Sequence, residues 1–169
     1  MRLEFGAYSH RGKVREKNED SYYVPSCKYN VDGLFMVADG MGGHNAGEVA
    51  SKMMIREIAD YFRQHYVDIS KEDDIRNLML DSVRRANKIV YDFSMTEEKY
   101  EGMGTTLTMA YFFEGKLRIG HVGDSRAYII RNDTIDQITR DHSLVQELLE
   151  NGSITMEEVD SHPQRNVIT

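Results

Sequence analysis

A buried strand that ends in an aspartate and a glycine-rich loop constrains this chain more than any other feature. Residues 34–38 form the apolar run LFMVA, and residues 39–44 follow as DGMGGH. A short apolar run of this kind is typical of a buried strand, so Asp39 is predicted to lie where a rigid element meets a pocket. Glycines let backbone carbonyls approach a ligand, and a carboxylate beside a carbonyl suits Mg²⁺ or Mn²⁺ better than zinc. The alternative is that Asp39-Gly40 forms only a turn.

Composition restricts the class of protein. The chain has 169 residues, a formal net charge of −7 and one cysteine, Cys27. This length predicts a single domain spanning residues 1–169. The acidic balance, with no basic stripe, argues against a nucleic-acid partner, and a lone cysteine fits a reducing compartment. No apolar run reaches membrane-spanning length, so we expect a cytoplasmic protein without a membrane partner.

The first half of the chain changes from strand to helix periodicity. Alternation over residues 3–7 predicts a half-buried strand, and residues 21–24 and 33–38 predict two more. Apolar residues then recur at helical spacing over 46–62 and again over 71–95. Asn45 and Ser70 are candidate caps for these two helices.

The second half returns to strands. Residues 106–113, 116–122, 125–131 and 134–139 are short β-prone segments joined by tight turns, which predicts an antiparallel meander. A short helix over 144–149 is predicted to end at Asn151-Gly152, and Thr155 with Glu158 forms a capping box for another. The order strands, two long helices, strands indicates an α+β domain in which helices cover an antiparallel sheet.

Acidic residues stand at three strand ends. They are Glu19 and Asp20 before one strand, Asp39 after another, and Asp124 in a turn of the meander. If these ends converge, the carboxylates repel one another and divalent cations relieve that repulsion. Arg15 could then supply a bidentate phosphate contact. The alternatives are a solvated acidic run, a plain turn at Asp124, and an Arg126 that only pairs with Asp124.

Five segments, taken together, resemble the metal-dependent protein phosphatase family (protein phosphatase 2C-like), and most closely its short bacterial serine/threonine phosphatases. They are Arg15 with 18–20 (NED), 39–44 (DGMGGH), 102–106 (GMGTT), 121–126 (HVGDSR), and 141–144 (DHSL) with 162–164 (HPQ). The last pair resembles a region where a mobile flap borders the site.

The resemblance implies a four-layer αββα fold, in which an antiparallel β-sandwich is flanked by helices on both faces. It implies hydrolysis of phosphoserine and phosphothreonine on proteins by a metal-bridged hydroxide, opposing a bacterial serine/threonine kinase. Two or three Mn²⁺ or Mg²⁺ ions are implied as cofactors.

Roles for individual residues follow from the same resemblance. Asp39 would bridge two metals and the Gly40 carbonyl would bind one of them. Asp20, with or without Glu19, would hold the second, and Asp124 matches the acid of a third site. Arg15 would grip the substrate phosphate. His44 is displaced by three residues from the family's general acid, so it either donates a proton through water or only shapes the loop.

The chain also differs from the family pattern at its C-terminal end. Family members continue into a Ser-Asp-Gly and an Asp-Asn motif that supply two further metal-binding aspartates, and neither occurs here. We therefore expect the chain to be a piece of an active enzyme, truncated before those motifs and binding metal weakly.

Two other functions remain open from the sequence. The chain could be a catalytically silent module that binds phosphoproteins or regulates them with the same fold. It could also bind a nucleotide with the glycine loop 40–47, although no P-loop lysine follows that loop.

Overall fold

The computed structural model describes residues 3–25, 33–42, 46–65 and 72–169. These residues divide into two compact units, Met1–Gly120 and His121–Thr169. The interpretations placed on Cys27, His44, Asn45 and Ser70 lie outside the described residues.

The first unit is built on a five-stranded antiparallel sheet. Its strands are β1 (Asp20–Tyr23), β2 (Leu34–Met41), β3 (Gly104–Thr105), β4 (Leu107–Phe113) and β5 (Lys116–Val122). The strand order is β1-β2-β4-β5, and the short β3 also pairs with β2. The long, apolar β2 is therefore the central strand, with β1 on one side and β4 on the other.

Two long helices cover one face of this sheet. They are α1 (Ala46–His65) and α2 (Glu72–Ser94), and a 3₁₀ turn at Glu98–Tyr100 follows. Burial alternates along β2, because the side chains of Leu34, Met36 and Ala38 lie in the core while Val37 and Asp39 are exposed. This alternation gives the sheet a face toward the helices and an opposite face.

The core of the first unit lies between the helices and the sheet. Phe62 of α1 is fully buried and meets the ring of Tyr111 on β4 edge-on, with the ring centroids 5.3 Å apart. Apolar residues spaced along α1 and α2 fill the rest of this layer, including Ala50, Met54, Ile58, Ile75, Leu78, Ala86 and Val90. The helical periodicity of the sequence thus becomes the packed stripe of each helix.

The second unit contains a hairpin and two short helices. The hairpin pairs β6 (Tyr128–Arg131) with β7 (Thr134–Gln137) as a separate two-stranded sheet. The helices are α3 (Leu144–Glu150) and α4 (Met156–Val159). The Thr155 capping box is present at the start of α4, as predicted.

Antiparallel sheets with covering helices confirm the predicted α+β fold class. The bounds of α1, α2 and β5 also follow the sequence patterns closely. None of the helices in the described residues has the length and hydropathy of a membrane span.

Two expectations about strands are wrong. Residues 3–7 do not form a strand, because within the described residues no neighbouring strand pairs with them, although Phe5 packs edge-on against Phe35. The predicted four-stranded meander divides after β5. The turn that follows is irregular over residues 123–127, and β6 then pairs with β7 in its own sheet.

Candidate metal site

Asp20 and Asp39 lie directly opposite each other on neighbouring antiparallel strands. The register of β1 and β2 pairs Asp20 with Asp39, and both residues are exposed. Directly opposed residues share one face of a sheet, with Cβ atoms roughly 4.5–5.5 Å apart. The structure therefore brings together two acids that are far apart in sequence.

The shared face is the one turned away from the helices. The neighbouring Ser21 points the other way, since its hydroxyl lies 3.0 Å from the hydroxyl of Ser51 on α1. Because successive side chains alternate between faces, Asp20 points away from α1. Burial along β2 places Asp39 on that same outer face.

The end of β2 is locked against the start of α1 by two glycines. A Cβ on Gly40 would lie 2.0 Å from the carbonyl oxygen of Gly47, and a Cβ on Gly47 would lie 2.7 Å from the carbonyl carbon of Gly40. Each residue must be glycine for the backbones to approach this closely. This contact fixes the strand end that carries Asp39.

The backbone of Asp39 is held by two threonines of the 102–106 segment. Its carbonyl accepts hydrogen bonds from the Thr106 N–H at 2.9 Å and from the Thr105 hydroxyl at 3.0 Å. Its N–H donates to the Thr106 hydroxyl at 2.9 Å. Three hydrogen bonds at one residue leave the Asp39 backbone little freedom to move.

Glu19 is placed differently from Asp20. Its carbonyl accepts hydrogen bonds from Gly40 N–H and the Ser51 hydroxyl, and its carboxylate lies beside the backbone of Gly47 at the start of α1. A carboxylate at a helix N-terminus is stabilised by the helix dipole. Arg15, whose side chain is largely exposed, approaches the Glu19 carboxylate at 3.7 Å.

A groove of about 430 Å³ opens beside Asp20. Lys52 and Arg56 of α1 line it together with Ser9 and Asn18. The Asn18 side chain accepts a hydrogen bond from the Asp20 N–H and donates one to the Ser9 hydroxyl. Asn18 thereby ties the start of β1 to the segment that precedes it.

Asp124 belongs to the second unit, in the turn after β5, where it is half-buried. Its convergence with Asp20 and Asp39 stays a prediction. Arg126 binds Asp141 through three contacts of 2.6–3.0 Å, so the alternative that Arg126 pairs with Asp124 is not what the structure shows.

The donor chemistry of the first unit fits a hard divalent cation. Opposed carboxylates destabilise a strand pair, and Mg²⁺-type ions are commonly held by one or two carboxylates with water completing the shell. Within the described residues, no three acidic, histidine or cysteine side chains gather closely enough to form a fuller ligand set. Asp20 and Asp39 are thus a candidate pair of ligands for such an ion.

Comparison with known proteins identifies the family to which this chain belongs. The family model for protein phosphatase 2C matches residues 8–148. The chain belongs to the protein phosphatase 2C family. The match includes Arg15, Asp20, Asp39 and Asp124, and it confirms the resemblance drawn from the sequence motifs.

Relatives and solved structures agree with this assignment. The chain is 39% identical over 158 residues to the serine/threonine phosphatase stp of Listeria welshimeri, covering 94% of this chain and 62% of that protein. The crystal structure of the serine/threonine phosphatase Stp1 from Staphylococcus aureus matches with a TM-score of 0.85 and 38% identity, over 100% of this chain and 68% of that one.

A third relative bears on the cofactor. The catalytic domain of the serine/threonine protein phosphatase PstP, solved in complex with two manganese ions, matches with a TM-score of 0.75 and 40% identity. The match covers 89% of this chain and 61% of that chain. This phosphatase 2C chain therefore spans about two thirds or less of the Listeria and PstP proteins it matches.

The sequence patterns single out Asp20 and Asp39 but not the residues that support them. Gly47 and Thr106 were not assigned roles, although both hold the end of β2 in place. A glycine in the first turn of a helix, where alanine is preferred, is the one signal that points to Gly47. The threonine contact spans 67 residues and leaves no local pattern.

Proposed function

We propose that the protein containing this chain is a metal-dependent serine/threonine protein phosphatase. It hydrolyses phosphoserine and phosphothreonine on protein substrates and opposes a bacterial serine/threonine kinase. The observation that carries this proposal is the cross-strand pair of Asp20 and Asp39, on a chain that belongs to the protein phosphatase 2C family.

Asp39 and Asp20 would hold Mn²⁺ or Mg²⁺, with the Gly40 carbonyl as a further ligand. When bound, such ions would supply Lewis-acid activation of water for hydrolysis of the phosphate ester. Two manganese ions in the PstP structure support a site with at least two ions. Asp124 would serve a third ion.

Asp20, rather than Glu19, is the acid that faces Asp39. Glu19 lies on the helix side, beside Arg15 and the start of α1. Its role in this proposal is to hold Arg15 near the strand end. Arg15 is exposed and would contact the substrate phosphate through its guanidinium fork.

Hydrolysis of p-nitrophenyl phosphate and of a phosphoserine peptide in the presence of Mn²⁺ tests the proposal. We expect both substrates to be hydrolysed, and Asp39→Asn to reduce kcat/KM by about 10²-fold or more because it removes a charged metal ligand. Asp136→Asn, at an exposed position of β7, is the matched control and should retain full activity.

The outcomes separate the enzyme from a silent module. If the wild-type protein binds the phosphopeptide at saturating Mn²⁺ but does not hydrolyse it, the chain is a phosphoprotein-binding module and not an enzyme. If hydrolysis persists in Asp39→Asn, Asp39 is not an essential metal ligand.

A further inference from the structure

Two segments of the second unit are joined by a dense set of hydrogen bonds. One is the turn at residues 123–127, which carries Asp124 (the Asp124 turn), and the other is residues 137–142 (the anchor segment). At one end, the N–H of Ala127 donates to the Thr139 hydroxyl at 3.0 Å, and the N–H of Ile138 donates to the Ala127 carbonyl at 2.9 Å.

Gly123 and His142 join the other end of the two segments. The His142 N–H donates to the Gly123 carbonyl at 2.8 Å. The Gly123 N–H points back to His142 Nδ1 at 3.3 Å. Nδ1 accepts this bond only when it carries no proton, which places the ring proton of neutral His142 on Nε2.

Between these two ends, an ion pair also joins the Asp124 turn to the anchor segment. Arg126 donates from Nε to both oxygens of Asp141 at 3.0 Å and from Nη2 to Oδ2 at 2.6 Å. Gln137 is a third donor and adds a fourth contact to the same carboxylate, at 3.2 Å. Such charge-assisted, forked contacts fix orientation as well as distance.

The burial of Asp141 shows that this carboxylate depends on its partners. Its residue is 8% exposed, whereas about half of the Arg126 side chain is exposed. A buried carboxylate is strongly destabilising unless it is paired and hydrogen-bonded. The Asp141 carboxylate also raises the pKa of Arg126, so the guanidinium stays charged.

The anchor segment is itself held in place. The His142 carbonyl accepts a hydrogen bond from the Thr169 N–H at 3.0 Å, and the Leu144 N–H donates to the Val167 carbonyl at 2.9 Å. Ser143, which is buried, caps α3 by accepting from the Gln146 N–H. The anchor segment is therefore a fixed support on which the Asp124 turn rests.

We propose that Asp141 and His142 are positioning residues that hold the Asp124 carboxylate in one place. Asp141 acts through Arg126, and His142 acts through Gly123, so the two contacts lie on either side of Asp124 in sequence. The consequence for manganese affinity rests on the proposed function; the positioning itself does not.

Asp141→Asn tests the ion-pair arm. The variant keeps the shape of the side chain but removes the charge that orients Arg126. We expect hydrogen exchange at the Gly123 and Ala127 amides to accelerate by about 10-fold or more because the turn opens locally. The Mn²⁺ concentration for half-maximal hydrolysis should rise by about 10-fold, the usual effect of losing a group that orients a ligand, with kcat at saturating Mn²⁺ largely retained.

Glu150→Gln is the matched control. Glu150 is exposed in the same unit and pairs with Arg140 of the anchor segment, and none of its contacts in the described residues is to the Asp124 turn. Both the exchange rates and the manganese response of this variant should equal those of wild type.

A pair of variants at His142 tests the second arm. Asparagine places Oδ1 at the same covalent distance from Cβ as histidine Nδ1, so His142→Asn keeps an acceptor for the Gly123 N–H. We expect His142→Asn to keep the wild-type hydrogen-exchange rate at the Gly123 amide. In His142→Ala, which lacks the acceptor, exchange at that amide should accelerate by about 10-fold. A role limited to filling space would affect both variants alike.

Each outcome decides the proposal. Wild-type exchange rates and manganese response in Asp141→Asn would overturn the ion-pair arm, and equal behaviour of His142→Asn and His142→Ala would overturn the second. If circular dichroism shows that Asp141→Asn does not fold, the comparison of His142→Asn with His142→Ala tests the proposal instead. If wild type hydrolyses nothing, the proposed function fails, while the exchange measurements still decide the positioning.

Discussion

At the residue scale, the candidate site depends on two glycines that leave no room for a side chain. Gly47 lies in the first turn of α1, and a Cβ there would lie 2.7 and 2.8 Å from the carbonyl carbon and oxygen of Gly40. Those atoms are backbone, which cannot swing aside as a flexible side chain can. The sheet end that carries Asp39 can meet the helix only at this distance.

Gly47→Ala tests this close approach. Helix propensity alone would make the variant more stable by up to about 1 kcal/mol. The clash with a strand backbone acts in the opposite direction and should prevail, lowering the free energy of unfolding by about 1–3 kcal/mol. Urea unfolding measures the difference.

Gly6→Ala provides the control for that measurement. A Cβ on Gly6 meets nothing within 4 Å, so its stability should stay close to that of wild type. Gly47→Ala being as stable as Gly6→Ala, or more stable than wild type, would show that the contact at Gly40 relaxes freely.

Arg15 carries a second prediction at this scale. Its side chain is 77% exposed and, among the residues that the structure describes, its one contact is a 3.7 Å ion pair with Glu19, so its removal should leave the fold intact. Loss of a charge-assisted phosphate contact is expected to lower kcat/KM for a phosphoserine peptide by about 10–100-fold. Steady-state kinetics on Arg15→Ala provide the measurement. An unchanged kcat/KM would mean that the phosphate is held elsewhere.

At the element scale, a group of ion pairs joins the start of α2 to β5. Glu72 contacts Lys116 at 3.0 Å and Arg118 at 3.2 Å. A hydrogen bond from Lys116, its charge, and the charge of Arg118 lower the pKa of Glu72. The helix is thereby tied to a strand that lies more than 40 residues further along the chain.

This pair predicts a pH dependence of stability. A glutamate whose pKa is lowered in the folded state stabilises the fold above its unfolded pKa, near 4.5, and loses that contribution as pH falls through the folded value. Glu72→Gln should therefore be slightly less stable than wild type at pH 7, and the two should converge at acidic pH. Thermal unfolding across this pH range measures the gap. A gap that widens toward low pH would contradict the assignment.

Elements with a local signal could be predicted from the sequence, whereas contacts between distant segments could not. The periodicity of α1 and α2 and the capping box at Thr155 are encoded within a few turns of chain. The division of the meander is different, because the residue pattern within each strand does not reveal whether β6 pairs with β5 or with β7. Arg126 likewise binds Asp141, which is 15 residues away in sequence, and not the nearby Asp124.

At the scale of the whole molecule, an antiparallel ladder brings acids from two distant sequence motifs together. Asp20 and Asp39 stand 19 positions apart, and the register of β1 with β2 places them opposite each other. The sequence indicated both acids as ligands through their positions at strand ends and through the family resemblance. The supports of the site, Gly47 and Thr106, became visible only with the packing of the whole unit.

The central claim is that Asp20 and Asp39 together hold a divalent cation. Anomalous scattering at the manganese edge, from crystals of the protein soaked in Mn²⁺, tests it most directly. We predict a peak that both carboxylates reach, directly at about 2.0–2.6 Å or through one bound water. Asp20 and Asp39 on opposite faces of the sheet, or a saturated crystal with no peak beside either, would contradict the account.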